Sequence, residues 1–416
     1  MHILFLSHYF PPETNAPAIR TFENAKRWVM WGHRVTVVTC APNHPEGIVF
    51  PGYKNRLLQW EDMEGIRMLR VITLLSANSG VFRRILNHVS FLLSVSLLCG
   101  FVKDVDLVVS TSPQFFCGMA GYVVSRIKGC PWILEIRDLW PESIVAVGAM
   151  KKGFLIRLLE RLERFLYHKA SHIVSLTRSF KNHIVGRGVP PENISVITNG
   201  ADLKYLTRPR ENNFVREKFN LGSKFIVSYI GTFGLAHKLE TVLEAATLLK
   251  QETGIVFVLI GNGAERERLV RKKNILKLEN VLILPRQPRE TIPGFLDASD
   301  ACMVLLRKRD VFQTVIPSKI FEAMAMARPI ILGVEGECRA IVEEANCGLC
   351  VDPENHRQLV EATLELFHSP DLRAFLGQNG RKYVERHYDR EELARRYLDV
   401  IEGVLQKMPC RFGARQ

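Results

Sequence analysis

The sequence predicts an α/β chain of two doubly wound parallel sheets in tandem, and three observations carry that expectation. At 416 residues the chain is long enough for two or three domains of ordinary size. Short, almost wholly apolar runs recur at helix-length intervals, the pattern of strands covered on both faces. The rhythm breaks once, at a Pro- and Asn-rich passage near the middle, and then restarts. Hydrophobic residues at 47% and charged residues at 24% supply a large core and exclude a disordered or fibrous chain.

The elements follow in order. Ile3-Leu4-Phe5-Leu6-Ser7 is a buried first strand that ends in a loop carrying Pro11, Pro12 and Pro17. A helix over Ala18 to Met30 leads through Gly32-His33 into Val35-Thr36-Val37-Val38-Thr39, whose β-branched density means strand. Further strands are Leu107 to Ser110, Trp132 to Ile136 and His172 to Ser175. The passage from Pro190-Pro191-Glu192-Asn193 through Asn199-Gly200-Ala201-Asp202 to Arg208-Pro209-Arg210 approaches a boundary, which divides the chain into domains 1–205 and 206–387. In the second domain Phe225 to Ile230, Val256 to Ile260, Val281 to Leu284 and Ala301 to Leu305 are strands, with a helix over Leu239 to Gln251. A terminal helix, 388–406, carries Leu393, Tyr397, Val400, Ile401, Val404 and Leu405 on one face and is expected to pack back on the first domain.

Charge narrows the partners. Lys and Arg total 56 against 43 acids, and residues 1–205 hold 24 bases against 15 acids, so the excess sits in the first half. A basic surface suits nucleic acid, an anionic membrane leaflet or a phosphorylated ligand. Nucleic acid is disfavoured, because the charge is spread along the chain with no aromatic platform or reading helix. Nine Cys at irregular positions, with no secretory leader at Met1, point to reduced thiols in a cytosol. The run 85–102 is uncharged but carries Asn87, His88 and three Ser, too polar to span a membrane; it reads as a buried core helix or as a helix dipping into one leaflet behind Arg83-Arg84. From Lys151 to Lys169, Phe154, Leu155, Leu158, Leu159, Leu162, Phe165 and Leu166 form an apolar face amid Lys151, Lys152, Arg157, Arg161, Arg164 and Lys169. That helix suits either an anionic lipid surface or packing on the sheet.

The chemistry-bearing motifs cluster in the second half. Gly231-Thr232-Phe233-Gly234 follows a strand and precedes a helix, where glycine lets backbone N–H groups approach an anion, and His237 and Lys238 add cationic partners for a diphosphate. Gly261-Asn262-Gly263 is a second strand-end turn. In Ile316-Pro317-Ser318-Lys319-Ile320-Phe321-Glu322, Ser318 is a candidate N-cap, and Glu322 lies one turn into a helix, where a carboxylate can accept both hydroxyls of a ribose while Lys319 faces a diphosphate. Cys347-Gly348-Leu349-Cys350 has metal-ligand spacing without a second pair, so a loop entering a strand is the better reading.

Together with Gly32-His33-Arg34-Val35-Thr36-Val37, Asn199-Gly200-Ala201-Asp202 and Gly261-Asn262-Gly263-Ala264-Glu265-Arg266, this last segment resembles glycosyltransferase family 4 over nearly the whole chain. His8-Tyr9-Phe10-Pro11-Pro12-Glu13-Thr14-Asn15-Ala16-Pro17-Ala18-Ile19-Arg20 and Arg137-Asp138-Leu139-Trp140-Pro141-Glu142-Ser143 narrow the resemblance to its bacterial O-antigen, capsule and colanic-acid branch, which includes fucosamine transferases. The resemblance implies the GT-B fold, two Rossmann-like domains facing across a cleft. It implies a retaining transfer of a sugar from a nucleotide sugar, UDP-linked, to a polyprenyl-diphosphate-linked saccharide at the inner face of a membrane. It implies no cofactor and no metal. A sugar-nucleotide epimerase of the same fold and an inactive nucleotide-sugar-binding subunit are the rival readings.

Carried over residue by residue, Glu322 falls on the second Glu of the family's E-x7-E motif, while Thr314 stands where the first would be. Arg286 falls in a loop that lines the nucleotide pocket. Gly231, Thr232, His237, Lys238, Gly261, Gly263, Pro317, Ser318 and Lys319 complete the expected donor site, with Lys238 and Lys319 offsetting the charge of the leaving diphosphate. On the first domain Asp138 is expected to position the acceptor or stabilise an oxocarbenium ion, with His8, Asn15 and Arg137 as further acceptor contacts.

Overall fold

The computed structural model describes residues 1–44, 46–76, 81–112, 115–142, 145, 153–207 and 214–408. The chain folds as two compact units, one of residues 1–198 and 391–416 and the other of 199–390.

In the first unit the strands are β1 (His2–Leu6), β2 (Arg34–Cys40), β3 (Leu58–Met63), β4 (Ile66–Val71), β5 (Leu107–Thr111), β6 (Trp132–Ile136), β7 (His172–Ser175) and β8 (Ile194–Val196). They form one sheet in the order β3-β4-β2-β1-β5-β6-β7-β8, parallel except for the β3–β4 hairpin. Successive strands run outward from β1 in one direction and from β5 in the other, so the order reverses between β1 and β5. β1 and β5 are buried along their whole length, as strands with helices on both faces must be. The hairpin lies beyond the elements expected from sequence. Its outer strand, Leu-Gln-Trp-Glu-Asp-Met, is polar enough to sit at an edge and too polar to stand out as an apolar run.

The second unit holds β9 (Phe225–Ile230), β10 (Ile255–Ile260), β11 (Val281–Leu284), β12 (Ala301–Leu305), β13 (Ile330–Gly333) and β14 (Gly348–Cys350), in the order β11-β10-β9-β12-β13-β14. Here the reversal lies between β9 and β12. Those two strands pair over only Ala301–Val227 and Cys302–Ser228, whereas β9 and β10 pair over six residues. The early parting of β9 and β12 opens the crevice at which open α/β sheets bind ligands.

The boundary between the units comes earlier than position 205. Ala201 and Leu206 bury in the second unit's core, and Ala201 forms a parallel bridge with Asp389. The helix Arg390–Lys407 then returns to the first unit, where Tyr397 and Ile401 join Trp28 and Phe5 in the core and the Trp28 indole N–H donates to the Ala394 carbonyl at 3.0 Å. Residues 208–213, within the passage expected to lead into the second domain, lie outside the described residues.

The two segments considered for lipid contact are both helices packed on the first unit. In Val81–Leu98, Phe91 and Val95 are buried while Leu86, Leu93 and Leu97 face out, Leu97 at 80% exposure. Asn87, Ser90 and Ser94 turn to the backbone of Leu74 and Ile72, which explains its polar residues. In Phe154–Lys169, the apolar face divides: Leu159 and Leu166 pack inward, and Phe154, Leu155, Leu158 and Phe165 remain exposed beside Arg157, Arg161 and Arg164. Lys151 and Lys152 lie outside the described residues. Among the described residues no helix is long and apolar enough to cross a membrane.

Candidate active site

The crevice of the second unit is built first from glycine. At Gly231, just past β9, a side chain would run into the Cε of Lys319, so the absence of a Cβ is what lets the lysine cross the strand end. At Gly261, past β10, a Cβ would strike the Gly231 carbonyl oxygen, and at Gly263 one would meet the Phe233 carbonyl at 2.6 Å. The N–H groups of Gly231 and Gly261 donate to Ile260 and Leu284 at 2.8 and 3.1 Å. They extend the sheet and are engaged there. The glycines serve close approach of neighbouring chains.

Lys319 opens the helix Lys319–Ala325, and its ammonium lies 4.9 Å from the centre of the Tyr229 ring. Burial brings its pKa down to about 8, with Glu322 acting in the opposite sense. Glu322, half-buried one turn on, is pushed up by burial and drawn down by Arg390, Lys319 and Arg289. Its carboxylate makes no hydrogen bond or ion pair among the described residues. An open carboxylate ringed by three cations is the distinctive feature of this crevice. Tyr205 stands at its border: its hydroxyl donates to the Arg289 carbonyl, and the Arg289 guanidinium lies 5.0 Å from its ring centre. Tyr205, Arg289 and Arg390 escaped sequence reasoning because nothing local marks them; folding gathers them from three distant segments.

The remaining donor candidates are placed as follows. His237 is corrected as a cation: burial and Lys319 bring its pKa down to about 3, and its Nδ1 pairs with the Leu305 carbonyl at 3.1 Å, so the ring is neutral. Lys238, in a left-handed conformation, gives its ammonium to Glu240 at 3.1 Å, within a cluster that also holds Arg268 and Lys272. Ser318 precedes the Lys319 helix without a side-chain capping bond, contrary to the N-cap expectation, because its backbone is already helical. Pro317 is half-buried beside it, and its carbonyl accepts the Ile320 N–H at 3.2 Å. Thr232 and Arg286 are exposed. Thr314 turns its hydroxyl to the Val311 carbonyl at 2.8 Å.

On the first unit the candidates divide between scaffold and surface. Arg137 is scaffold: its guanidinium is buried, donates to the Pro17 carbonyl at 3.3 Å and lies 3.9 Å from Glu135. Burial lowers its pKa to about 10, with Glu135 opposing. Asn15 caps the helix Ala16–Met30 through its Oδ1, which accepts the Ala18 N–H at 3.0 Å. His8 is buried among His88, Phe91 and Tyr9, with ring centroids 4.7, 4.9 and 5.1 Å away. Burial and then His88 hold its pKa well below the usual histidine range. Asp138 is half-buried just beyond β6 and lines a recess with Trp140 and Glu163.

Comparison with known proteins matches a separate domain to each half of the chain. The glycosyl transferases group 1 family matches residues 210–383, and the glycosyl transferase 4-like domain matches residues 15–200. The putative colanic acid biosynthesis glycosyl transferase WcaI of Escherichia coli is 25% identical, over 97% of this chain and all of that protein. Among solved structures, sucrose-phosphate synthase from Thermosynechococcus elongatus superposes with a TM-score of 0.78 at 17% identity, over 98% of this chain and 99% of the other. Anabaena HepE, solved in complex with UDP-glucose, superposes with a TM-score of 0.73 at 16% identity, over 97% of this chain and all of the other. With each half matched by a glycosyltransferase domain and the whole by the same fold, the chain belongs to glycosyltransferase family 4 and has the GT-B fold.

Proposed function

We propose that the protein transfers a sugar, with retention at the anomeric carbon, from a UDP-sugar to a polyprenyl-diphosphate-linked saccharide during assembly of a bacterial surface polysaccharide. The observation that carries the reading is the open Glu322 carboxylate among Lys319, Arg289 and Arg390. A carboxylate in that setting accepts the two hydroxyls of a ribose, and the adjoining cations suit a diphosphate. The UDP-glucose complex of HepE and the colanic-acid naming of WcaI support the choice of nucleotide and pathway class.

In this mechanism the bond from the sugar's anomeric carbon to the diphosphate oxygen breaks as the bond to the acceptor oxygen forms. The acceptor's proton passes to the departing diphosphate, so no strong protein base is needed. Lys319 stabilises the charge that develops on the leaving group, in the place a divalent metal takes elsewhere. Lys238, held by Glu240, is left out of that role. Asp138 positions the acceptor hydroxyl or stabilises positive charge on the ring. The protein works at the inner face of the cytoplasmic membrane, attached through the exposed apolar and basic side of Phe154–Lys169.

Calorimetry with UDP tests the central assignment. Glu322→Gln is expected to weaken UDP by about 10- to 100-fold, the loss of hydrogen bonds to a charged group, with the circular dichroism melt unchanged. Equal affinity would remove the ribose role. Product anomeric configuration by NMR, and transfer in the presence of a chelator, test retention and metal independence. Turnover of UDP-sugar without acceptor would favour an epimerase instead.

A further inference from the structure

Beyond β12 the chain enters a loop that carries Arg307-Lys308-Arg309, at the strand end where β9 and β12 have parted. The Arg307 backbone N–H donates to the Ala236 carbonyl at 2.8 Å, and two residues earlier the Leu305 carbonyl pairs with His237 Nδ1 at 3.1 Å. Ala236 and His237 belong to the turn Leu235–His237 that follows β9. These bonds clip the end of β12 to the turn after β9. Arg307 therefore leaves the sheet at the switch point itself, where open sheets receive ligands.

Its side chain lacks what several half-buried arginines of this unit have. Arg216 meets Asp300 at 2.8 Å, Arg328 meets Asp297 at 2.6 Å and Arg339 meets Glu343 at 2.7 Å. Arg307, also half-buried, has no hydrogen bond or ion pair from its side chain among the described residues. Its Nε is enclosed without an acceptor, whereas its two terminal nitrogens are neither enclosed nor bonded there and so stay open to solvent. Withdrawing a guanidinium part-way from water without a counter-charge is costly. The acids nearby serve Lys308 instead: Glu354 Oε1 accepts the Lys308 N–H at 3.0 Å, and Glu335 lies 3.9 Å from the Lys308 ammonium. Arg266, beyond β10, is the rival, since its Nε is likewise enclosed and unbonded, but its neighbour Glu265 ties that segment to Phe233 rather than to His237.

Position says which anion this arginine would take. Lys319 acts on Glu322 on one side and on His237 on the other, so the three lie in succession. Arg307 comes off beside His237 and is not among the cations that act on Glu322. A UDP-sugar with its ribose on Glu322 and its first phosphate at Lys319 carries its second phosphate onward, toward His237 and the end of β12. The neutral His237 ring cannot offset that charge. A guanidinium can, and its planar fork donates two parallel bonds to phosphate oxygens. We propose that Arg307 binds the distal, sugar-bearing phosphate of the donor, as the second cation of the diphosphate site beside Lys319. The assignment rests on the UDP-sugar reading above and deepens it. When the bond from the anomeric carbon to that phosphate breaks, its electron pair stays on the phosphate oxygen, and Arg307 stabilises the charge there.

Calorimetry on the full chain with UDP, UMP and UDP-glucuronate tests the assignment. Arg307→Gln is expected to weaken UDP about 10- to 100-fold and UMP, which lacks the distal phosphate, less than about threefold. Glu322→Gln, by contrast, should weaken both nucleotides alike. Arg307→Lys should recover part of the UDP loss, because the charge returns without the fork, and Arg307→Met none of it. Since an uncompensated charge is removed, the melting temperature of Arg307→Gln should hold or rise. Arg339→Gln removes the same charge from a paired position of the same unit and should leave UDP unchanged. With UDP binding to the wild type, no loss in Arg307→Gln, equal losses for UDP and UMP, or an equal UDP loss in Arg339→Gln overturns the assignment alone. A UDP loss in Arg266→Gln with none in Arg307→Gln gives the phosphate to the β10 side and likewise overturns it. So does a loss confined to UDP-glucuronate with UDP untouched, which gives Arg307 to a carboxylate on the sugar. No binding of UDP to the wild type brings down the nucleotide reading and the assignment with it.

Discussion

Arg20 and Glu135 form an ion pair at 3.2 Å inside the first unit, with Glu135 wholly covered. Arg20 also donates to the carbonyls of Ile197 and Thr198, at 2.9 and 2.7 Å, the last two residues before the chain leaves that unit. Breaking a buried pair costs about 3–5 kcal/mol, because the survivor is left uncompensated. The survivors differ here. Arg20→Met leaves Glu135 with the Thr111 hydroxyl and Arg137, whereas Glu135→Leu leaves two buried guanidinium groups beside no carboxylate. Urea unfolding should therefore show Glu135→Leu as the more damaging change, with part of the loss recovered in the double variant. Equal single costs and no recovery would mean that the four groups do not act together.

Lys319 is expected to make UDP binding depend on pH. With a pKa near 8 in the empty site, its charge is lost as pH rises through that value. A diphosphate favours the charged form, so UDP affinity should fall about tenfold per pH unit above about pH 8. Uridine, which lacks phosphates, should bind with a flat profile. Calorimetric curves that run parallel for the two ligands would remove Lys319 from the diphosphate.

The same substitution should have two different effects at Gly231 and Gly261. Their torsions are close, φ +154° and +157°, so backbone strain is comparable and the neighbours decide. A methyl at Gly231 meets the end of a flexible lysine, and one at Gly261 meets fixed backbone. Gly231→Ala is expected to displace Lys319 and weaken UDP about tenfold. Gly261→Ala is expected to cost about 1–3 kcal/mol and lower the melting temperature by several degrees. Reversed effects in the two assays would contradict this account of the crevice.

Attachment to lipid should divide into charge and apolar parts. Arg157, Arg161 and Arg164 are exposed, and each basic residue near an anionic surface contributes about 1 kcal/mol. Replacing all three by Gln should weaken cosedimentation with phosphatidylglycerol vesicles about a hundredfold. Phe154 is 74% exposed, and Phe154→Ser with Leu158→Ser should also weaken residual binding to neutral vesicles. Vesicle binding that is indifferent to both sets would place the lipid contact elsewhere or nowhere.

Legibility in the sequence followed the physics of each element. Strands buried on both faces, such as Val35 to Thr39 and Val256 to Ile260, are unbroken apolar or β-branched runs, and they stood out. The β3–β4 hairpin did not, because an edge strand needs no such run. Lys319 and Glu322 were legible because one short motif carries both. Arg289 and Arg390 reach Glu322 only through the fold. Glu163 was hidden in plain view: on a helix rich in Arg and Lys it reads as one more surface charge, and only Tyr167, four residues later and on the same face, hints at burial. Asp138 was placed at a strand end correctly, with Trp140 in the same motif, but its neighbours Ser112 and Glu163 come from two other segments.

The second unit is an insertion within the first, entered after Thr198 and left at Arg390. A ribosome therefore delivers all of the second unit before it finishes the first. The Trp28 indole must wait 366 residues for its acceptor, Ala394. Synthesis from the N-terminus ordinarily lets the leading domain fold first; here the core of the leading unit lacks Tyr397 and Ile401 until the last helix emerges. A chain that stopped just after Arg390 would keep the second unit whole and lack Leu393, Tyr397, Ile401 and Val404 from the core of the first.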